Sequence, residues 1–145
     1  MKYRIGEIGR VIVVKFEDGD AILDNLIEIA KKENIRAGIF YLVGGIKNAR
    51  IVVGPEKEEL PPTPVWKSLK ESHETLGIGT IFWHGDEPRI HFHGAYGKHD
   101  SAKVGCLREM AETFIVLEGI IIELKGIDAT RELDPKSNMI LLDIQ

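Results

Sequence analysis

The spacing of apolar and polar residues predicts one early helix. Residues 10–16 alternate and are rich in Val and Ile, which is typical of a strand. Apolar residues then recur at helical spacing and form one stripe, at Ile22, Leu23, Leu26, Ile27 and Ala30. Asp20 is the predicted N-cap, because its carboxylate can accept from free backbone N–H groups. The helix is expected to run to about Glu33, with Asn34 as its stop.

The residues after the helix predict a strand pair and a loop. Residues 37–43 are almost all apolar, as expected of a central strand that is covered on both faces. Gly44-Gly45 predicts a tight turn, and residues 47–53 predict the returning strand. Four prolines and a group of acids make residues 54–64 an exposed loop.

Five more segments have strand character, and they set the expected fold class. They are residues 73–83, 89–96, 103–110, 113–124 and 139–143, although residues 107–113 could instead form a short helical piece. One helix followed by many strands, without alternating βαβ units, predicts an α+β fold with a mainly antiparallel sheet. The length of 145 residues fits a single domain spanning residues 1–145.

Composition narrows the expected location and partners. No apolar run approaches the length that spans a bilayer, and the basic N-terminus lacks the apolar stretch of a signal peptide. A single cysteine cannot form an internal disulfide, which fits a reducing compartment. We therefore expect a cytoplasmic protein without a membrane partner. The net charge of −4 argues against a broad basic face for DNA, so DNA is not the favoured partner.

The histidines provide the main candidate chemistry. His91 and His93 are two apart on a predicted strand, so both side chains project from the same face. A hairpin centred between His99 and Asp100 would place Cys106 opposite His93, with Cβ atoms about 4.5–5.5 Å apart. Two imidazoles and a thiolate suit Zn²⁺, although other transition metals also take such ligands. The alternative is a polar strand face beside a buried cysteine that acts as a small apolar residue.

Other candidate motifs are weaker. Glu118 and Glu123 interrupt an apolar strand and differ by five positions, so a regular strand directs them to opposite faces. The stretch Gly77-Ile78-Gly79-Thr80 lacks the helix and the Lys-Ser/Thr of a phosphate loop. Ser101 near His99 lacks the strand–turn–helix context of a nucleophile elbow.

The order of these segments resembles the plant-and-prokaryote-conserved (PPC) domain family. The likeness covers nearly the whole chain and is sharpest over residues 77–81 and 88–95, followed by Gly105-Cys106-Leu107. It implies an antiparallel α+β fold, a homotrimer, and a conserved cluster at His91, His93 and Cys106. It also implies accessory roles for Glu118 and Arg131. The family usually has His where Cys106 stands and often Gly where Met110 stands, and the AT-hook of plant members is missing here.

These observations favour a metal-containing, zinc-binding homotrimer that serves as a binding, assembly or regulatory module, for which a further protein partner is one expectation. No catalytic residue is assigned. The first alternative is a hydrolase-like zinc enzyme that uses an open metal position, with Glu118 as proton acceptor. The second alternative is a DNA-binding protein, which the acidic balance and the missing AT-hook oppose.

Overall fold

Ten strands and one helix follow the chain in a computed structural model that describes residues 1–145. The elements are β1 (Glu7–Glu17), α1 (Ile22–Lys32), β2 (Ala37–Lys47), β3 (Ala49–Pro55), β4 (Pro64–Leu69), β5 (His73–His84), β6 (Glu87–Lys98), β7 (Ser101–Leu107), β8 (Glu112–Lys125), β9 (Ala129–Asp134) and β10 (Met139–Ile144). The expected α+β fold with a mainly antiparallel sheet and one principal helix is confirmed. That helix is too short and too polar to cross a membrane.

The first eight strands form one antiparallel sheet in the order β1-β8-β2-β5-β6-β7-β3-β4. Strands β9 and β10 pair as a separate hairpin. Three strands lie between β2 and β3, yet only Asn48 separates those two strands in the chain. The sheet must therefore curl strongly, so that the end of β2 meets the start of β3.

The inner face of the sheet carries the core. Helix α1 packs on this face with its buried residues Ile22, Leu26 and Ala30. The large side chains that the sheet contributes include Phe16, Phe40, Leu42 and Phe92. Four of the five predicted stripe residues therefore belong to the core or pack against it, while Ile29 does so and Ile27 does not. Asn34 ends the helix in the left-handed region at φ +50°. The predicted N-cap was wrong. Ala21 occupies that position, and the Asp20 carboxylate instead accepts from the Glu17 N–H at 2.8 Å.

Two predictions about the strands that follow α1 were wrong. Strand β2 continues through Gly44 and Gly45, where Gly44 at φ +140° forms a bulge against β8 instead of a turn. The change of direction comes at Asn48, at φ +52°, because Asn tolerates the left-handed region. Strand β3 then pairs with β7 and β4 and not with β2, so it is no returning strand.

The remaining differences concern one alternative helix that does not form and two strands that the pattern did not indicate. Residues 107–113 contain no helix, and strand β4 begins at the end of the proline-rich loop. Strand β9 was also missed. It lies near β5, where the Arg131 guanidinium stands 5.8 Å from the centre of the Phe82 ring.

The opposite side of the sheet, which we call the outer face, is defined by one row of paired residues that crosses all eight strands. In strand order the row is Val13, Ile120, Tyr41, Ile78, His93, Cys106, Val52 and Trp66. Paired residues share a face, so the row marks one continuous surface. Tyr41 and Ile78 on it are 41% and 52% exposed, so the expectation that residues 37–43 are covered on both faces was wrong for the single chain.

Candidate metal centre

The β6–β7 hairpin brings His91, His93 and Cys106 together on the outer face. The turn joins Lys98 to Ser101, and His99 within it adopts the left-handed region at φ +53°. His93 pairs with Cys106, as the symmetric hairpin predicted. Because side chains alternate along a strand, His91 projects from the same face as His93, while Phe92 enters the core.

The three side chains form one compact group. The Nε2 atoms of His91 and His93 are 3.0 Å apart, and the two rings meet edge to face at 88°. Each residue offers one nitrogen or sulfur, and these three atoms lie within 4.8 Å of one another. The two imidazoles are exposed, whereas Cys106 is 5% exposed. The group is therefore open to solvent on the histidine side and backed by protein at the sulfur.

This donor set fits a transition-metal ion. Two nitrogens that are each about 2.05 Å from a tetrahedral ion are separated by about 3.3 Å, close to the separation found here. Without an ion, one imidazole must donate its proton to the other. Soft sulfur and borderline imidazole together suit zinc and its neighbours, and three protein ligands leave a fourth coordination position free.

Burial and the charges of two guanidinium groups shift the pKa values at the cluster. Burial and the charges of Arg131, His93 and Arg108 lower the pKa of His91 to about 4. Burial raises the pKa of the Cys106 thiol, while the positive charges of Arg108 and Arg131 partly oppose that rise. The lowered pKa keeps the His91 imidazole neutral at pH 7, so it can offer a lone pair, whereas the raised pKa keeps Cys106 a thiol until a bound cation favours the thiolate.

Arg131 belongs to this site, whereas Glu118 does not. Arg131 is 7% exposed on β9, and its Nη2 donates to Thr80 Oγ1 at 2.9 Å. Thr80 pairs with His91, which places the guanidinium beside the imidazole. Glu118 lies on β8 between Lys15 and Val43, and two whole strands separate β8 from β6. That is about 14 Å at the usual strand spacing, so the chain's own Glu118 does not reach the cluster.

Glu123 has the opposite orientation to Glu118, as its position predicted. It faces the inner side near Gly38 and binds Arg10, with its Oε2 atom 2.9 Å from Arg10 Nε. The stretch from Gly77 to Thr80 lies inside strand β5 and has no turn. Its glycines leave room for the rings of Phe40 and Phe92, which is a packing role.

Arg108 is a residue of the site that was not predicted from the sequence. It stands two positions after Cys106, the spacing that keeps two side chains on one face of a strand, so the same argument that paired the histidines could have found it. Its guanidinium acts on both His91 and Cys106. The site therefore contains two positive groups that flank the three ligand candidates.

A cavity of about 530 Å³ opens beside the cluster. Its lining contains His91, His93, Cys106 and Arg108 together with an apolar wall formed by Val52, Pro55, Pro62, Pro64 and Trp66. Met139 of β10 also contributes to the lining. The cluster is therefore part of a concave surface that could hold a small molecule next to the ligand atoms.

Solved structures with the same fold come from archaea and bacteria. The metal-containing protein from Archaeoglobus fulgidus matches with a TM-score of 0.85 and 21% identity, covering 97% of this chain and 98% of that one. A plant- and prokaryote-conserved (PPC) protein from Pyrococcus horikoshii matches with a TM-score of 0.84 and 26% identity, covering 100% and 99%. A protein from Ralstonia eutropha JMP134, for which DNA binding has been suggested, matches with a TM-score of 0.74 and 21% identity, covering 92% and 90%.

The family comparison agrees with the structural one. No curated protein matches the chain significantly. The family model described as the Plants and Prokaryotes Conserved (PCC) domain matches residues 3–125, which includes the helix, the whole eight-stranded sheet and the three ligand candidates. The chain therefore belongs to the plants-and-prokaryotes-conserved domain family, abbreviated PPC or PCC.

Proposed function

We propose that the protein is a zinc-containing homotrimer that acts as a binding, assembly or regulatory module, with the ion held by His91, His93 and Cys106. The main observation in support of a metal site is that two imidazole nitrogens and one sulfur lie within 4.8 Å of one another on a regular hairpin. The metal-containing relative from Archaeoglobus fulgidus supports the same assignment. A bound cation would favour the thiolate form of Cys106 and let both imidazoles act as lone-pair donors. Because this ligand set needs a reduced cysteine, we place the protein in the cytoplasm.

The metal is tested by elemental analysis of purified protein. We expect about one zinc per chain in the wild type and a loss of at least nine-tenths of it in His93→Ala, since two remaining ligands bind weakly. His73→Ala is the matched control, because His73 Nδ1 hydrogen-bonds the Glu71 carbonyl and the residue lies outside the cluster. Equal metal content in wild type and His93→Ala would refute the site. A different metal at full occupancy would refute zinc alone.

Self-association is supported by the outer face. Tyr41, Val43, Leu76, Ile78, Val104 and Ile120 lie there on neighbouring strands, and each is between 41% and 68% exposed. A contiguous apolar surface of this kind marks an interaction site, and a second and third copy of the chain would cover it. Light scattering should give three times the chain mass of 16.2 kDa. A mass equal to one chain at micromolar concentration would contradict the assembly.

An enzymatic role is the second candidate, because the cavity leaves the fourth coordination position reachable. Its weakness is the missing base, since Glu118 lies on β8 and no carboxylate lines the cavity. Cobalt substitution distinguishes the candidates. A spectrum that changes when azide is added shows an exchangeable position, as an enzyme requires, whereas an unresponsive spectrum indicates a closed structural site.

DNA binding remains the third candidate, through the relative from Ralstonia eutropha for which it has been suggested. The net charge of −4 opposes it. A gel-shift series over increasing salt decides the matter, because phosphate contacts give a steep loss of affinity with salt. Absence of any shift at low salt removes this candidate.

A further inference from the structure

Three arginines and no acidic residue surround the ligand candidates. The cavity beside the apolar wall contains Arg108, and a neighbouring cavity of about 430 Å³ contains Arg89, Arg108 and Arg131. Both cavities share His91, Cys106 and Met139 in their linings, and neither includes Asp or Glu. A chain with net charge −4 thus concentrates positive charge at one concave place. An anion would be attracted there.

Arg131 is a buried arginine of this site that has no carboxylate partner. It is 7% exposed, and its one hydrogen bond goes to the neutral hydroxyl of Thr80. No carboxylate lies within ion-pair distance of it, although Arg10 and Arg50 both have such partners. Removing a guanidinium from water without a counter-charge is unfavourable, so a ligand that supplies negative charge would offset that desolvation. The planar guanidinium also suits a carboxylate or phosphate in two-point contact.

The apolar wall determines what else the ligand must carry. Trp66 is 36% exposed, and the guanidinium of Arg50 stacks 4.5 Å from its ring centre and fixes its orientation. Three prolines and Val52 surround it. Such a wall provides mainly dispersion contacts, with the indole N–H of Trp66 as its one side-chain hydrogen-bond donor, so it suits a flat apolar group. The volume of about 530 Å³ falls within the range of small-molecule sites.

We infer that the two adjoining cavities, which share Arg108 in their linings, together bind a small organic oxyanion, meaning an aromatic or similarly flat apolar body that bears a carboxylate or a phosphate. The anionic group lies between Arg108 and Arg131 at the side of His91, and the apolar body lies against Trp66 and the prolines. The inference rests in part on the proposed metal site, because a bound divalent cation adds to the positive charge and offers a coordination position to one oxygen of the ligand.

The test uses the purified protein in its native assembly, with metal content measured on each sample. Benzoate and phenyl phosphate are the probes, and benzamide is the neutral match for benzoate. Calorimetry should show binding of one or both anions at least tenfold tighter than that of benzamide. In a ¹⁵N-labelled sample the indole N–H of Trp66 should shift. The indole of Trp83 is an internal reference, because it is buried and donates to the Ile35 carbonyl at 2.6 Å.

Two variants locate the anionic group. Arg108→Gln and Arg131→Gln should each lower the affinity for the anion at least tenfold, while about one zinc per chain is retained. Arg36→Gln is the matched control, since Arg36 stacks on Trp83, away from both cavities, and should leave affinity unchanged. Arg108 is exposed, so its variant is expected to fold even if Arg131→Gln does not.

The outcomes separate the two proposals. Metal-free protein would refute the zinc site, and the same titration would still decide the anion site because the arginines alone distinguish benzoate from benzamide. Zinc-loaded protein that binds none of the probes, or binds benzamide as well as benzoate, overturns the inference. Anion binding that survives both arginine changes overturns it as well.

Discussion

The inner and outer faces of the sheet are built from alternate residues of the same strands, yet they differ in completeness. On the inner face Phe16, Phe40, Leu42 and Phe92 are at most 1% exposed, and α1 covers them. On the outer face Tyr41 and its neighbours remain between 41% and 68% exposed. The chain itself therefore buries the inner face, whereas the outer face leaves apolar side chains and the candidate ligand atoms exposed.

This difference separates folding from function in the molecule. The inner face holds no titratable group of the site. The three ligand candidates and Trp66 belong to the outer face, and Arg131 belongs to the β9–β10 hairpin, which covers part of that face. A substitution on the inner face should act on the free energy of unfolding. A substitution on the outer face should act on metal, ligand or assembly.

The largest effect is expected from Phe40→Ala on the inner face. Its ring is fully buried and stacks on Phe92 with ring centres 5.7 Å apart, so truncation should lower the free energy of unfolding by about 3–5 kcal/mol. Tyr41→Ala, one residue away on the outer face, is the matched comparison. Urea denaturation at several protein concentrations should show a much smaller, concentration-dependent loss for it. If both variants lost the same free energy of unfolding at every protein concentration, the proposed difference between the two faces would be wrong.

The next effect concerns assembly. Ile78→Asp places a charge in the middle of the exposed apolar row, where a neighbouring copy would have to desolvate it. We expect association to weaken at least a hundredfold, about 2.7 kcal/mol, with light scattering shifting toward the single-chain mass. Leu60→Asp is the control, because Leu60 is 67% exposed in the proline-rich loop and not on the sheet. An unchanged mass for Ile78→Asp would remove the outer face from the assembly.

The inner face and the β6–β7 hairpin were predictable because residue spacing and turn chemistry within short segments determine them. The helical stripe identified α1, and alternation identified most strands to within a few residues. The pairing of His93 with Cys106 followed from the turn chemistry around His99 and Asp100, since a short hairpin fixes its own register. Two of the three ligand candidates needed only the period of two along one strand.

The outer face was less predictable because distant segments complete it. The charge of Arg131 acts on His91 only because β9 lies against β5, where Arg131 binds Thr80 beside His91, and no local sequence pattern predicts that arrangement. Glu118 was predicted as an accessory residue, but the strand order places β2 and β5 between β8 and β6. Strand β2 was expected to be covered on both faces, since apolar content alone does not say whether the chain or another molecule supplies the cover.

Gly79 tests how tightly the inner face is packed. A Cβ at this position would overlap ring carbons of Phe40, which is itself fully buried and cannot move aside easily. Gly79→Ala should therefore destabilise the fold by about 1–3 kcal/mol. Gly97→Ala is the matched change on the neighbouring strand, where no atom lies within 4 Å of the added Cβ, and it should be nearly neutral. Thermal unfolding of both variants decides, and equal stability would contradict this packing.

The smallest effect is expected at Glu123, where the sheet edge depends on charge. Hydrogen bonds from the Arg10 side chain and then its backbone N–H lower the pKa of Glu123 from 4.5 to about 2. A carboxyl whose pKa is lower in the folded state stabilises the fold fully above its ordinary pKa and loses that contribution as pH falls through its folded value. The wild type should therefore exceed Glu123→Gln in stability at neutral pH. The gap should narrow between about pH 4.5 and 2, as urea midpoints would show, and a gap that stayed constant over this range would mean that the Arg10 contact does not depend on the carboxylate charge.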